Sequence, residues 1–164
     1  MISAYKSGII HIGDLPLGGH YPIRVQSMTN TNTNDIEATV AQTIRLAEAG
    51  CEMVRITAQG ITEAQNLALI RKNLHARGIK IPLIADIHFN PHAAEVAAAI
   101  VEKVRINPGN YTDKRESKQA LSAREYDDEL ERIAQRLRPL LNICRQHGTA
   151  IRIGTNHGSL SSRI

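Results

Sequence analysis

One short phrase constrains this chain more than any other. An arginine stands between two branched aliphatic residues at Val54-Arg55-Ile56, Val104-Arg105-Ile106 and Ile151-Arg152-Ile153. Successive side chains of a β-strand point to opposite faces. Each phrase therefore turns aliphatic residues to one side of a sheet and a guanidinium to the other. One such arginine is as readily a helix–sheet ion pair or an exposed strand end. Three at equivalent places ask for a shared polar centre, because burying an unpaired guanidinium is very costly.

The residues two positions on extend the pattern. Arg55 shares a face with Thr57, Asp86 with His88, Arg105 with Asn107, and Arg152, through Gly154, with Asn156. Asp86 alone cannot neutralise three arginines, whereas a ligand carrying several negative charges can. Guanidinium forks match phosphate oxygens bidentately, so a phosphate or diphosphate is the expected ligand. Gly158-Ser159, after Asn156-His157, offers further backbone N–H donors if a helix starts there, a weak signal taken alone. Asp86 and His88 at i, i+2 could also share a metal ion, but two ligands are too few, and a hydrogen bond that orients the imidazole is the simpler reading.

Between these segments lie helical patterns, so the order is strand, helix, strand, helix. Strands are expected at 23–28, 52–58, 81–88, 103–108 and 150–155. Asn34 with Glu37, and Thr62 with Gln65, have capping-box spacing; Gly50 and Gly78 stop the two helices that follow. Asn90-Pro91 opens a short Ala-rich helix. Residues 110–124 read as a polar loop. A charged helix follows from about Glu125, with Leu130, Ile133, Leu137, Leu140 and Cys144 on one face and Pro139 expected to kink or split it. Residues 8–21 read as a hairpin turning near Gly13-Asp14, which gives an N-terminal hairpin segment at 1–22 and a parallel α/β unit at 23–164.

In an open doubly wound sheet helices cover both faces, and mid-strand arginines would be buried against apolar side chains. In a barrel the inner face at the C-terminal ends of the strands is the floor of the active site. The expected fold is therefore α/β, a partial (β/α)8 TIM barrel of about five parallel strands. The 164 residues fall short of the roughly 250 that a complete barrel takes.

Composition narrows the function classes. With 42% hydrophobic and 22% charged residues, the chain can build an ordinary core. A net charge of +4 suits a small anionic ligand. Aromatics at 3%, with no Trp, argue against a stacking platform for nucleic acid. No apolar run approaches the roughly 20 residues of a membrane span, and the first twenty residues read as neither signal nor transit peptide. Cys51 and Cys144 are not at framework spacing, which points to a reducing cytoplasm, with a bacterium the expected source.

Five motifs together carry a resemblance. They are Val25-Gln26-Ser27-Met28-Thr29-Asn30-Thr31, Ala49-Gly50-Cys51-Glu52, Ala85-Asp86-Ile87-His88-Phe89, Arg105-Ile106-Asn107-Pro108-Gly109-Asn110, and the run from Arg152 to Leu160. In this order, over nearly the whole chain, they resemble the 4-hydroxy-3-methylbut-2-enyl diphosphate synthases of the methylerythritol phosphate route to isoprenoids. Residues 111–147 resemble the family's long form, which carries an extra insert domain.

The resemblance implies an N-terminal TIM barrel that binds 2-C-methyl-D-erythritol 2,4-cyclodiphosphate and a C-terminal domain with a [4Fe–4S] cluster held by three Cys and one Glu. It also implies electrons from ferredoxin or flavodoxin, and a homodimer in which one subunit's cluster domain caps the other's barrel. By motif position Arg55, Arg105 and Arg152 hold diphosphate oxygens. Asp86, His88, Asn107 and Asn156 line the same mouth, with His157 and Ser159 nearby. Two cysteines cannot make a three-Cys site, so no cluster ligand, metal site or catalytic residue is expected in this chain. It reads as the substrate-binding part of a longer enzyme, inactive alone. Two further readings stay open: another phosphate-binding barrel, akin to pterin-pyrophosphate synthases, and a non-catalytic module that self-associates through open strand edges.

Overall fold

The computed structural model describes residues 5–107 and 122–154. Two short antiparallel strands come first, β1 (Ile10–Ile12) and β2 (Leu15–Leu17), paired as a hairpin around Gly13-Asp14. Strands β3 (Gln26–Met28), β4 (Met53–Thr57), β5 (Leu83–Asp86), β6 (Lys103–Ile106) and β7 (Ala150–Ile153) then alternate with helices α1 (Ile36–Glu48), α2 (Ile61–Ala76), α3 (Pro91–Ala98) and α4 (Ala123–His147). The five strands form one parallel sheet in the order β3-β4-β5-β6-β7. Each strand is hydrogen-bonded to its predecessor in sequence, with no reversal of order. A doubly wound sheet requires such a reversal; a barrel does not.

The ladder registers sort the side chains. Val54, Ile56, Leu83, Ala85, Val104 and Ile106 form one core with Val40 of α1, Leu67, Ile70 and Leu74 of α2, the alanines of α3, and Leu140 and Cys144 of α4. All four helices thus cover one face of the sheet. The opposite, inner face has two zones. Toward the N-terminal ends of the strands, Met53 and Ile84 pack with Ile12, and Leu15, Leu17 and Ala150 join them, so the hairpin plugs that end with apolar side chains. Toward the C-terminal ends the inner face turns polar.

The strands are shorter than their patterns suggest. Polar residues crowd the helix starts, and the cap that forms is not always the one spacing favours. Asp35, not Asn34, caps α1, its Oδ1 accepting from the Ala38 N–H at 3.0 Å. Asn34 is drawn to α2 instead, where its Oδ1 accepts from Asn66 Nδ2 at 3.0 Å. Helix α2 starts two residues earlier than Thr62 implies: Gly60 is the cap, and Glu63 Oε2 accepts from its N–H at 3.1 Å. The expected caps at Asn90-Pro91 and the stops at Gly50 (φ +94°) and Gly78 (φ +77°) form as read.

Helix α4 begins at a Ser122–Glu125 capping box, so residues 122–124 belong to it rather than to a loop, and residues 110–121 lie outside the described residues. It runs unsplit through Pro139. Only its C-terminal half docks: Leu140 and Cys144 are buried, while Leu130, expected on the same stripe, is exposed. The lost bond at Pro139 is borne where neighbouring helix turns are mostly open to water.

Candidate functional site

At the C-terminal ends of β4, β5 and β6 three cationic or imidazole groups converge on one carboxylate. Asp86 ends β5, Arg105 stands opposite it on β6, and Thr57 of β4 is its partner on the other side. Asp86 Oδ1 lies 3.2 Å from Arg105 Nη1 and 3.3 Å from His88 Nε2. Asp86 Oδ2 lies 3.5 Å from Arg55 Nε. The side chains of Asp86 and Arg105 are only 5% and 6% exposed. Such a pair is held by geometry: removing either partner strands a charge in a poor solvent.

His88 completes the cluster. Both its ring nitrogens lie against Arg105 Nη1, Nδ1 at 3.1 Å and Nε2 at 2.9 Å, so the ring packs between the guanidinium and Asp86. Arg55 has a second anchor in Met28, whose sulfur accepts from Nε at 3.3 Å and from Nη2 at 3.1 Å. Met28 stands in register opposite Arg55 on the neighbouring strand, which brings the sulfur within reach of the guanidinium.

Asn107 follows β6 and is fully buried. Gly154, just after β7, fits against Arg105 so closely that a methyl group there would stand 2.6 Å from Arg105 Cζ and Nη2. The glycine permits a contact that any side chain would fill.

Arg152 is placed differently. It pairs in register with Arg105 and so shares the inner face, but it is exposed and opens on a neighbouring cavity with Gln26, Met53 and Lys103. The structure thus brings Arg55, Asp86, His88 and Arg105 together and leaves Arg152 beside them. Asn156, His157 and Ser159 lie outside the described residues.

Lys103 is the residue that sequence reasoning passed over. It precedes Arg105 by two positions, so it shares the inner face, and it is 6% exposed. Burial, and then the charge of Arg152, hold its ammonium below the usual lysine pKa. Among the described strand residues the inner face carries the cations Arg55, Lys103, Arg105 and Arg152 against one carboxylate, Asp86. That imbalance favours a multiply charged anion.

Residues 7–164 match the GcpE TIM-barrel domain family. The chain belongs to that family. Among its relatives, one from Parabacteroides distasonis is 60% identical over 161 residues, covering 97% of this chain and 26% of the relative. One from Bacteroides fragilis is 55% identical over 164 residues, covering 99% of this chain and 26% of the relative. One from Akkermansia muciniphila is 50% identical over 156 residues, covering 94% and 27%. Each is named 4-hydroxy-3-methylbut-2-en-1-yl diphosphate synthase (flavodoxin). The chain spans about a quarter of the length of these relatives. As a GcpE TIM-barrel domain it places its polar cluster where barrels carry their active sites, at the C-terminal ends of the strands. Among the described residues no helix is long and apolar enough to cross a membrane.

The cysteines do not fit an iron–sulfur cluster. Cys144 is buried in the core under α4, and burial pushes its thiol pKa up, away from the thiolate a metal needs. Cys51 precedes β4, at the opposite end of the strands from Asp86, and packs against the same core. No group of three His, Cys, Asp or Glu among the described residues could hold a metal ion.

Proposed function

We propose that this chain is the diphosphate-binding barrel segment of a synthase that reductively opens 2-C-methyl-D-erythritol 2,4-cyclodiphosphate to 4-hydroxy-3-methylbut-2-enyl diphosphate. One observation carries the reading: two guanidiniums from adjoining regions of the inner face share a single carboxylate at the barrel mouth. Asp86 sets the directions of Arg55 and Arg105 without cancelling their combined charge. A diphosphate arriving at the mouth supplies the missing negative charge and accepts from the remaining guanidinium N–H groups. Arg152, in register with Arg105, reaches the same ligand from β7. His88 steadies Arg105, Asn107 adds a polar group just after β6, and by motif position Asn156, His157 and Ser159 belong to the same ligand site.

The chain's own part is to bind and orient. Reduction draws on a [4Fe–4S] cluster, which the cysteines here do not fit, so electron transfer is assigned to no residue of this chain. Flavodoxin, which the relatives' names carry, is the proposed donor to the whole enzyme. A homodimer in the bacterial cytoplasm is the proposed setting.

Isothermal calorimetry with the cyclodiphosphate, and with pyrophosphate as a simpler probe, tests the site. Arg105→Ala is expected to weaken binding at least tenfold, the scale of losing one charge-assisted hydrogen-bonding group. Unchanged affinity in that variant refutes the assignment.

A further inference from the structure

Arg55 reaches the mouth held on one edge by an acceptor that carries no charge. Met28 ends β3, opposite Arg55 in the ladder. Its sulfur accepts from Arg55 Nε at 3.3 Å and from Nη2 at 3.1 Å. Those two nitrogens form the fork along one edge of the guanidinium, and a single sulfur spans it. Asp86 Oδ2, 3.5 Å from Nε, contacts the same edge from β5. The other edge, made by Nη1 and the outer N–H of Nη2, is left for a ligand.

The backbone beneath the sulfur is fixed. One residue past β3, the Thr29 N–H donates to the Arg55 carbonyl at 2.9 Å. Asn30 and Gln42 of α1 exchange two bonds: the Asn30 N–H donates to Gln42 Oε1 at 3.0 Å, and Gln42 Nε2 donates to Asn30 Oδ1 at 2.6 Å. Thr33 Oγ1 donates to the Thr57 carbonyl at 2.6 Å, which ties the same loop to the end of β4. A methionine in a core is a pliant filler of irregular gaps. Here its sulfur reaches from a rigid base to one defined edge of a cation.

The kind of acceptor matters. A carboxylate in the place of Met28 would aim Arg55 and also cancel its charge. Asp86 is already shared by Arg55, Arg105 and His88, and a second carboxylate would remove most of the mouth's attraction for an anion. A thioether is a weak and neutral acceptor, so it fixes the direction and leaves the charge. An aliphatic side chain of the same volume would pack as well and aim nothing.

We propose that Met28 is a positioning residue of the anion site, its sulfur aiming Arg55 at the diphosphate while leaving the positive charge to the ligand. The proposal rests on the diphosphate reading above and brings β3 into that site.

Three substitutions at position 28 separate packing, acceptor and charge, with pyrophosphate binding to the chain read by calorimetry. Met28→Leu keeps the apolar volume and loses the acceptor. Binding is expected to weaken about threefold to tenfold, the scale of one hydrogen bond, while the chain melts as the parent does. Met28→Gln carries a neutral oxygen acceptor and is expected to bind within about twofold of the parent. Met28→Glu keeps the acceptor but adds a negative charge, and is expected to bind about tenfold more weakly than Met28→Gln. In an Arg55→Ala background Met28→Leu is expected to change nothing, because a residue that acts through Arg55 then has nothing to aim. The Arg55 Nε–H resonance, assigned by its loss in Arg55→Lys, is expected to shift in Met28→Leu before any ligand is added. If the Gln or Glu chain fails to fold, the Leu chain and the Arg55 background decide alone.

A Met28→Leu chain that binds pyrophosphate as tightly as the parent overturns the role. So does an equal loss with and without the Arg55 side chain, which makes Met28 packing only. A folded Gln chain that binds no better than Leu overturns the acceptor, and a Glu chain that binds as well as Gln overturns the need for a neutral one. If Arg55→Ala and Arg105→Ala both bind as the parent does, the diphosphate reading fails and takes this one with it. If those two weaken binding and Met28→Leu does not, the diphosphate reading stands and this one falls.

Discussion

Position 154 has room for a hydrogen and nothing larger. The Arg105 guanidinium lies where a Cβ would go, and Arg105 cannot simply retreat, being enclosed by Asp86 and His88. Gly154→Ala is therefore expected to push Arg105 off Asp86. The cost comes from overpacking and from a strained buried pair, about 1–3 kcal/mol in a urea melt. Anion binding at the mouth should weaken together with stability. A variant that melts and binds like the parent would show that Arg105 has somewhere else to go. Much of this cluster was legible in the sequence, because alternation alone puts Asp86, His88, Arg105 and Asn107 on chosen faces. What was not legible is who shares Asp86. Lys103 has the same alternation as Arg105, yet beside Glu102 it reads as a solvated strand start, and only the ladder shows it buried.

At the scale of elements, the hairpin is tied to the sheet by one charged junction. Glu52, just before β4, accepts from the Val25 N–H at 2.8 Å and from Arg24 Nη1 at 2.7 Å, and Arg24 in turn reaches the Pro16 carbonyl of β2. The Val25 N–H, followed by the Arg24 hydrogen bond, lowers the Glu52 pKa from its usual 4.5. A carboxylate with a depressed folded pKa contributes stability that is fully present above its unfolded value and lost as pH falls through the folded one. The parent should therefore outlast Glu52→Gln in urea at neutral pH. The two midpoints should converge as pH drops below 4.5. A gap that stays constant into acid would mean the glutamate acts through packing alone. The hairpin itself was readable from its glycines and turn, but this junction was not. It joins residues 28 positions apart in sequence, and nothing local distinguishes Glu52 from any polar residue before a strand. Helix caps failed for the opposite reason: Asn32, Asn34 and Asp35 are all competent caps, and the tertiary pull of Asn66 on Asn34 decides among them.

At the scale of the molecule, the sheet is bonded on one side only at each end: β3 to β4 and β7 to β6 among the described residues. A barrel disposes of its edges by closing, and an edge left open presents free backbone donors and acceptors to any strand that meets it. Apolar side chains stand beside both edges, with Ile23 95%, Val25 54% and Ile153 57% exposed. Free backbone groups and exposed aliphatic surface in one place are what make one strand add to another. The 164-residue chain is therefore expected to self-associate, its sedimentation coefficient rising with concentration across the micromolar range. Ile153→Lys places a charge on the β7 edge, the device by which natural sheets blunt such edges, and should return the chain to a monomer at the same concentrations. If the parent already sediments as a folded monomer at every concentration, the edges are covered. In that case the lysine should change nothing, because a side chain that meets no partner has no association to prevent.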